Sequence, residues 1–196
     1  MHPYATDSDE RRLVPLTLGL LALGLGFLTH AVVSAMNFDA PWWLDMPTPL
    51  VLYGLLWTGF DRVAWHWSPW KRLRLVRVPD YRGIWRVEGQ SDYGTETPFT
   101  GEATIRQTWT AMSIEIETAL SRSHTLTGSV LLDPFARPRL SYEYASEPKA
   151  SATPTLQAHR GAAWLDLKST DVLEGEYYGG RGSQNLGTLR LVRARA

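Results

Sequence analysis

The 196-residue chain contains no cysteine. That absence excludes a disulfide framework, a thiolate zinc site and a cysteine nucleophile. The chain also lacks net charge, with 20 Lys and Arg against 20 Asp and Glu. Duplex-binding proteins ordinarily carry a basic excess, so no DNA or RNA partner is expected. No Gly-x-x-x-x-Gly-Lys-Ser/Thr loop, Gly-x-Ser-x-Gly elbow or His-Glu-x-x-His pair occurs. His2, His30, His66, His124 and His159 are scattered without metal-ligand spacing. The expectation is a protein that is not an enzyme and has no catalytic residues, metal site or cofactor.

Another absence is local. From Leu13 to Phe38 there is no Asp, Glu, Lys or Arg. As a helix, Leu13–Met36 would extend about 36 Å, enough for a hydrocarbon core of about 30 Å. Pro15 falls in the first turn, where a missing N–H costs little. A polar linker over 37–45 precedes a second apolar stretch, interrupted by Asp61 and Arg62. Those charges are expected toward the inner leaflet, with Arg62 snorkelling to the headgroups beside Asp61 or with the pair lining a pore.

Six of the nine tryptophans lie between residues 42 and 70. Trp42 and Trp43 mark one interface, and Trp65, Trp67 and Trp70 the other, as in an aromatic belt. Arg11 and Arg12 precede the first span, and Lys71, Arg72, Arg74 and Arg77 follow the second. The linker has two Asp and no Lys or Arg. By the positive-inside rule both termini are cytoplasmic and the protein is multi-pass in the bilayer. Val33-Ser34-Ala35 looks like a signal-peptidase site, but the apolar run is too long for a typical signal peptide. The expected organisation is a tail over 1–12, a two-helix transmembrane region over 13–70 with spans at about 13–36 and 46–67, a basic juxtamembrane linker over 71–80, and a cytosolic domain over 81–196.

After Pro79 the pattern changes to short alternating segments separated by Gly, Pro, Ser or Asp. Strands are expected at Tyr81–Gln90, Glu102–Trp109, Met112–Ala119, His124–Leu132, Arg139–Tyr144, Leu156–Lys168, Val172–Tyr178 and Gly187–Val192. Roughly eight short strands without helical period indicate an all-β antiparallel barrel or sandwich. Ser113-Ile114-Glu115-Ile116-Glu117 alternates strictly, which puts Glu115 and Glu117 on a solvated outer face rather than in a carboxylate pair for glycoside chemistry. Gly179-Gly180-Arg181-Gly182 joins two strands, as a flexible hairpin or as a loop whose amides and Arg181 meet an anion. Gly83-Ile84-Trp85 opens the first strand, with Arg190 and Arg193 at the last. That arrangement is similar to lipocalin-like barrels, and an eight-stranded barrel has room for one small ligand.

The most specific motifs lie downstream. They are Ile105-Arg106-Gln107-Thr108-Trp109, Leu140-Ser141-Tyr142-Glu143-Tyr144 with Glu147-Pro148, His159-Arg160-Gly161, and Tyr177-Tyr178-Gly179-Gly180-Arg181. In this order behind two spans, the chain resembles the CD-NTase-associated protein 15 family. These are two-transmembrane, β-barrel cyclic-nucleotide receptor effectors of bacterial CBASS anti-phage systems, with a STING-like role. The chain departs from the family pattern at Ala162, where Thr is frequent, and at Ser146, where Asn is frequent.

The resemblance implies a barrel that binds a cyclic di- or oligonucleotide made by a partner CD-NTase. Binding would drive homo-oligomerisation, disruption of the bacterial inner membrane and abortive-infection cell death. Trp109, Tyr142, Tyr144 and Tyr178 can offer faces for base stacking, worth about 1–3 kcal/mol per base. Gln107 and Ser123 can meet base edges, and Arg181 and His159 can meet phosphates. Each aromatic is equally readable as barrel core, and Gln107 as a structural hydrogen-bonding residue. Ala22-x-x-x-Gly26 and Gly54-x-x-x-Thr58 can pack the hairpin itself or an oligomer. The rival reading is a membrane-tethered, lipocalin-like small-molecule binding protein.

Overall fold

A computed structural model describes residues 1–36, 48–92, 97–133, 135–150, 152, 157–180 and 186–194. The chain divides into two compact units, Ser8–Arg77 on the one hand and Met1–Asp7 with Val78–Ala196 on the other.

In the helical unit the first apolar run forms one helix, α1, over Glu10–Ala35. Its 26 residues give a length of about 39 Å at 1.5 Å per residue. Among the described residues it is the one helix long and apolar enough to cross a bilayer. Leu16, Leu20, Phe27 and Leu28 on it are exposed. A second helix, α2, covers Thr48–Arg62. It stops at the first charged pair and gives way to a 3-10 turn over Ala64–His66 and a one-turn helix over Ser68–Arg72. The expected belt residues Trp42 and Trp43 lie outside the described residues.

Small residues set the approach of α1 and α2. Ala22 is buried, and a Cβ added to Gly26 would lie 3.1 Å from Pro49 Cγ. Ala22-x-x-x-Gly26 therefore packs the helix pair. A Cβ at Gly54 would meet nothing within 4 Å, so that face stays open. Near the start of α1, the buried carboxylate of Glu10 accepts the Arg77 N–H at 2.6 Å.

The second unit is a barrel of eight long antiparallel strands. They are β3 (Gly83–Ser91), β4 (Thr97–Gln107), β5 (Ala111–Thr118), β6 (Ser121–Leu131), β7 (Arg139–Pro148), β8 (His159–Ser169), β9 (Val172–Gly179) and β10 (Leu186–Arg193). Consecutive strands pair, β10 returns to β3, and β5 closes on β6. The alternation is the one the sequence dictates. Met112, Ile114 and Ile116 face inward, while the Glu117 carboxylate meets Lys149 Nζ at 2.7 Å on the outside. One half of the lumen is filled by Trp85, Val87, Ile105, Ile114, Leu140, Leu165, Leu173 and Leu191, with Tyr81 and Trp109 closing its end.

The polar tail behaves differently from the expectation. Residues 2–7 belong to the barrel rather than trailing from it. β1 (His2–Pro3) pairs with Ala111 and Met112, and β2 (Ala5–Thr6) pairs in parallel with Ser129 and Val130. The reason is Tyr4, whose buried ring gives this otherwise polar segment an apolar anchor.

Candidate ligand site in the barrel

The two ends of the lumen differ in chemistry. Where β4 turns into β5 the interior is filled by mostly apolar side chains packed around the hydrogen-bonded amide of Gln107. Toward the other end, near the β7–β8 and β9–β10 connections, it is lined by rings, hydroxyls and glycines. Three aromatics there face a glycine on the next strand: Tyr144 opposite Gly161, Tyr177 opposite Gly187, and Phe99 opposite Gly89. A Cβ on any of these glycines would overlap the facing ring. The glycines thus let each ring lie across the adjacent strand, an arrangement that compensates for the missing side chain. Phe99 and Tyr177 meet edge-on at 6.1 Å, and Tyr142 and Tyr144 are 6.3 Å apart.

Tyr142 is the most informative member. Its residue is only 4% exposed, and its hydroxyl has no hydrogen-bond partner among the described residues. An unpartnered buried hydroxyl costs about 1–3 kcal/mol. Burial, reinforced by Tyr144, holds its phenol well above the ordinary range. Burial likewise raises Tyr144, whose hydroxyl donates to the Tyr178 carbonyl at 3.4 Å, and Tyr177. All three stay neutral at physiological pH and can donate hydrogen bonds.

His159 stands at the mouth, 6.3 Å edge-on from Tyr144, with Nδ1 3.0 Å from the Gln157 carbonyl. Ser123 and Ser146 are register partners on β6 and β7; Ser146 is buried and Ser123 half-buried. Among the described residues of the barrel unit, the buried polar side chains are those of Gln107, Thr125 and Ser146, with no carboxylate among them. An anion entering this lumen would meet donors and rings without buried negative charge.

The candidate residues divide accordingly. Tyr142, Tyr144, His159 and Ser123 gather toward one end of the barrel. Trp109 and Gln107 do not join them, because both belong to the opposite, filled end. Gln107 is fully employed there: Oε1 accepts the Tyr81 N–H at 2.8 Å, and Nε2 donates to the Pro79 carbonyl at 3.1 Å and reaches the Tyr4 hydroxyl at 3.5 Å. Of its two readings, the structural one fits. Tyr178 requires a correction, since its ring points outward and is 44% exposed. The interior ring is Tyr177, in phase with Leu173, while Tyr178 follows the outward Glu174 and Glu176. That parity was the available signal. Arg181 lies outside the described residues. The facing glycines and Phe99 carry no local sequence signal, because a glycine within a strand reads as a weak point.

A family model described as Cap15, cyclic dinucleotide receptor domain, matches residues 76–193. The chain is 32% identical over 146 residues to CD-NTase-associated protein 15 of Yersinia aleksiciae, covering 72% of this chain and 67% of that protein. Among solved structures, a redesigned β-barrel aligns with a TM-score of 0.43 at 11% identity, covering 58% of this chain and 91% of that one.

Proposed function

Because the chain belongs to the Cap15 cyclic dinucleotide receptor family, we propose that its barrel binds a cyclic dinucleotide in the aromatic half of the lumen. A partner CD-NTase supplies that nucleotide. The observation that carries the reading is the unpartnered, buried hydroxyl of Tyr142 beside Tyr144 and within one rim with Tyr177 and Phe99. A nucleobase supplies both things this site lacks: a flat face for the rings, and an acceptor for the hydroxyl. In this reading Ser123 and Ser146 meet base edges and His159 meets phosphate, and Arg181 is assigned to phosphate from the sequence alone.

In this proposal the protein is a CBASS effector of the bacterial inner membrane. The hairpin crosses the bilayer with both termini cytoplasmic, and the occupied barrel promotes homo-oligomerisation. Assembly of the helical units then disrupts the membrane and ends the infected cell. Outward-facing Leu16, Leu20 and Phe27, and the open Gly54 face, leave surface for helix–helix contact between copies. Nucleotide binding can drive assembly only if the assembled state binds it more tightly than the resting state.

The direct test reconstitutes the full chain in dye-loaded vesicles and adds cyclic dinucleotides one at a time. Dye release with one of them, together with higher oligomers after cross-linking, is the expected result. Release with none sinks the effector reading. Lipid extracted from the purified barrel would favour the lipocalin-like alternative, which the Trp85–Arg193 arrangement supports architecturally.

A further inference from the structure

The closure of the barrel contains a cleft. β5 and β6 pair with each other only at Glu115–Glu117 and Arg122–His124. Beyond that point a register shift at Thr125/Thr127 turns β6 away. Thr125 closes the fork with its side chain: Oγ1 accepts the Ile114 N–H at 2.9 Å and donates to the Ile114 carbonyl at 2.8 Å. One hydroxyl thereby replaces a strand partner for both backbone groups of Ile114. On the far side of this clasp, Ala111, Met112, Ser129 and Val130 face the opening, and residues 2–6 fill it.

The filling is held by short ladders and by the Tyr4 ring. Each strand of the insert is two residues long, and Pro3 has no N–H to give. The Tyr4 N–H donates to the Thr110 carbonyl at 3.3 Å, and the Tyr4 ring is buried. The Asp7 carboxylate accepts the Leu132 N–H at 2.7 Å. Only Ser8 and Asp9 separate this last contact from α1. We propose that the β5–β6 opening is a strand-binding cleft and that residues His2–Asp7 are its releasable occupant, a latch tying the start of α1 to the barrel.

The cleft lies in the wall of the receptor, so a change in barrel shape acts on the latch directly. Release of these residues undoes the attachment at the start of α1. The helix is then free to exchange its neighbours. The regulatory role rests on the membrane-effector reading above; the cleft and its occupant do not.

The test uses the full chain in dye-loaded vesicles without any nucleotide. Tyr4→Ala removes the anchor, and Asp7→Ala removes the outer cap while leaving the core untouched. Each is expected to raise amide exchange at residues 110–112 and 129–132 at least tenfold and spontaneous dye release at least fivefold. Tyr4→Phe keeps the ring while giving up the hydroxyl that Gln107 Nε2 reaches at 3.5 Å, and should exchange and leak within about twofold of wild type. The cysteine-free background allows Ala5→Cys with Ser129→Cys, a register pair suited to a disulfide. Added to the Asp7→Ala chain, the oxidised bridge should return leakage to the wild-type rate, and reduction should restore it. Unchanged exchange in both opening variants overturns the latch. So does faster exchange without leakage, or leakage that oxidation leaves in place. Failure of the receptor reading shows elsewhere, as wild-type vesicles that respond to no cyclic dinucleotide.

Discussion

The guanidinium of Arg193 lies 4.3 Å over the ring of the fully buried Trp85. The last strand thereby fastens the first, because the same group donates to the Asp80 carbonyl at 2.9 Å and to the Arg82 carbonyl. Gly83 permits this at φ 129°, a conformation that side chains rarely adopt. Arg193→Ala is expected to cost about 2–3 kcal/mol, from the lost cation–π contact and the carbonyls left unpaired. Arg193→Lys should recover less than half, since an ammonium lacks the planar fork. Urea denaturation of the full chain in micelles, followed by tryptophan fluorescence, measures both.

Gly161 lies beneath Tyr144, and a Cβ there would also overlap the Tyr178 carbonyl. Gly161→Ala should destabilise the barrel by about 1–3 kcal/mol through overpacking. It should also tilt the Tyr144 ring away from the wall. Denaturant midpoints report the first effect and weakened nucleotide binding the second.

These two sites differ in how much of them was legible beforehand. Gly83-Ile84-Trp85 and a late arginine are a short local signal, weak by itself, and the structure joins them through Arg193. Arg190 instead meets Glu88 and Glu174 on the outer face. Period-2 alternation located all eight long strands, with errors at ends where Pro98, Gly101 and Pro148 resemble loop residues. Pairings between distant residues were not legible. Nothing in the sequence near Gly161 says that Tyr144 will lie over it, and nothing near His2 says that residues 2–6 will fill an opening between β5 and β6. Tyr177 could have been chosen over Tyr178 by carrying the alternation on from Leu173. The tyrosine pair was instead read as a motif, which conceals which ring faces inward.

Tyr142→Phe separates fold from function. Its hydroxyl has no hydrogen-bond partner among the described residues, so removing it should leave stability unchanged or raise it slightly. Nucleotide affinity should fall about 5- to 15-fold, corresponding to one hydrogen bond of about 1–1.5 kcal/mol. Gln107→Leu should do the reverse, lowering stability because the Tyr81 N–H and the Pro79 carbonyl lose their partner, with affinity per folded molecule unchanged. Equal effects of both variants on affinity would contradict the division of the lumen into a filled half and a receptive half.

The interior tyrosines make the barrel sensitive to base. Burial raises Tyr81, Tyr142, Tyr144 and Tyr177 above the ordinary phenol range near pH 10. Above that pH the unfolded chain loses these protons before the folded one does. The stabilisation is therefore complete below pH 10 and is lost as pH rises toward the folded values. These four should resist titration at 295 nm and ionise late, together with loss of near-ultraviolet circular dichroism. Their titration in the ordinary phenol range with the fold intact would contradict their burial.

The most direct measurement is a calorimetric titration of the full chain in micelles with a panel of cyclic dinucleotides, run in parallel on wild type and Tyr142→Phe. The account predicts saturable binding of at least one of them with a dissociation constant well below millimolar, weakened in the variant. Binding no tighter than millimolar across the panel, or equal affinity in the two proteins, would contradict it.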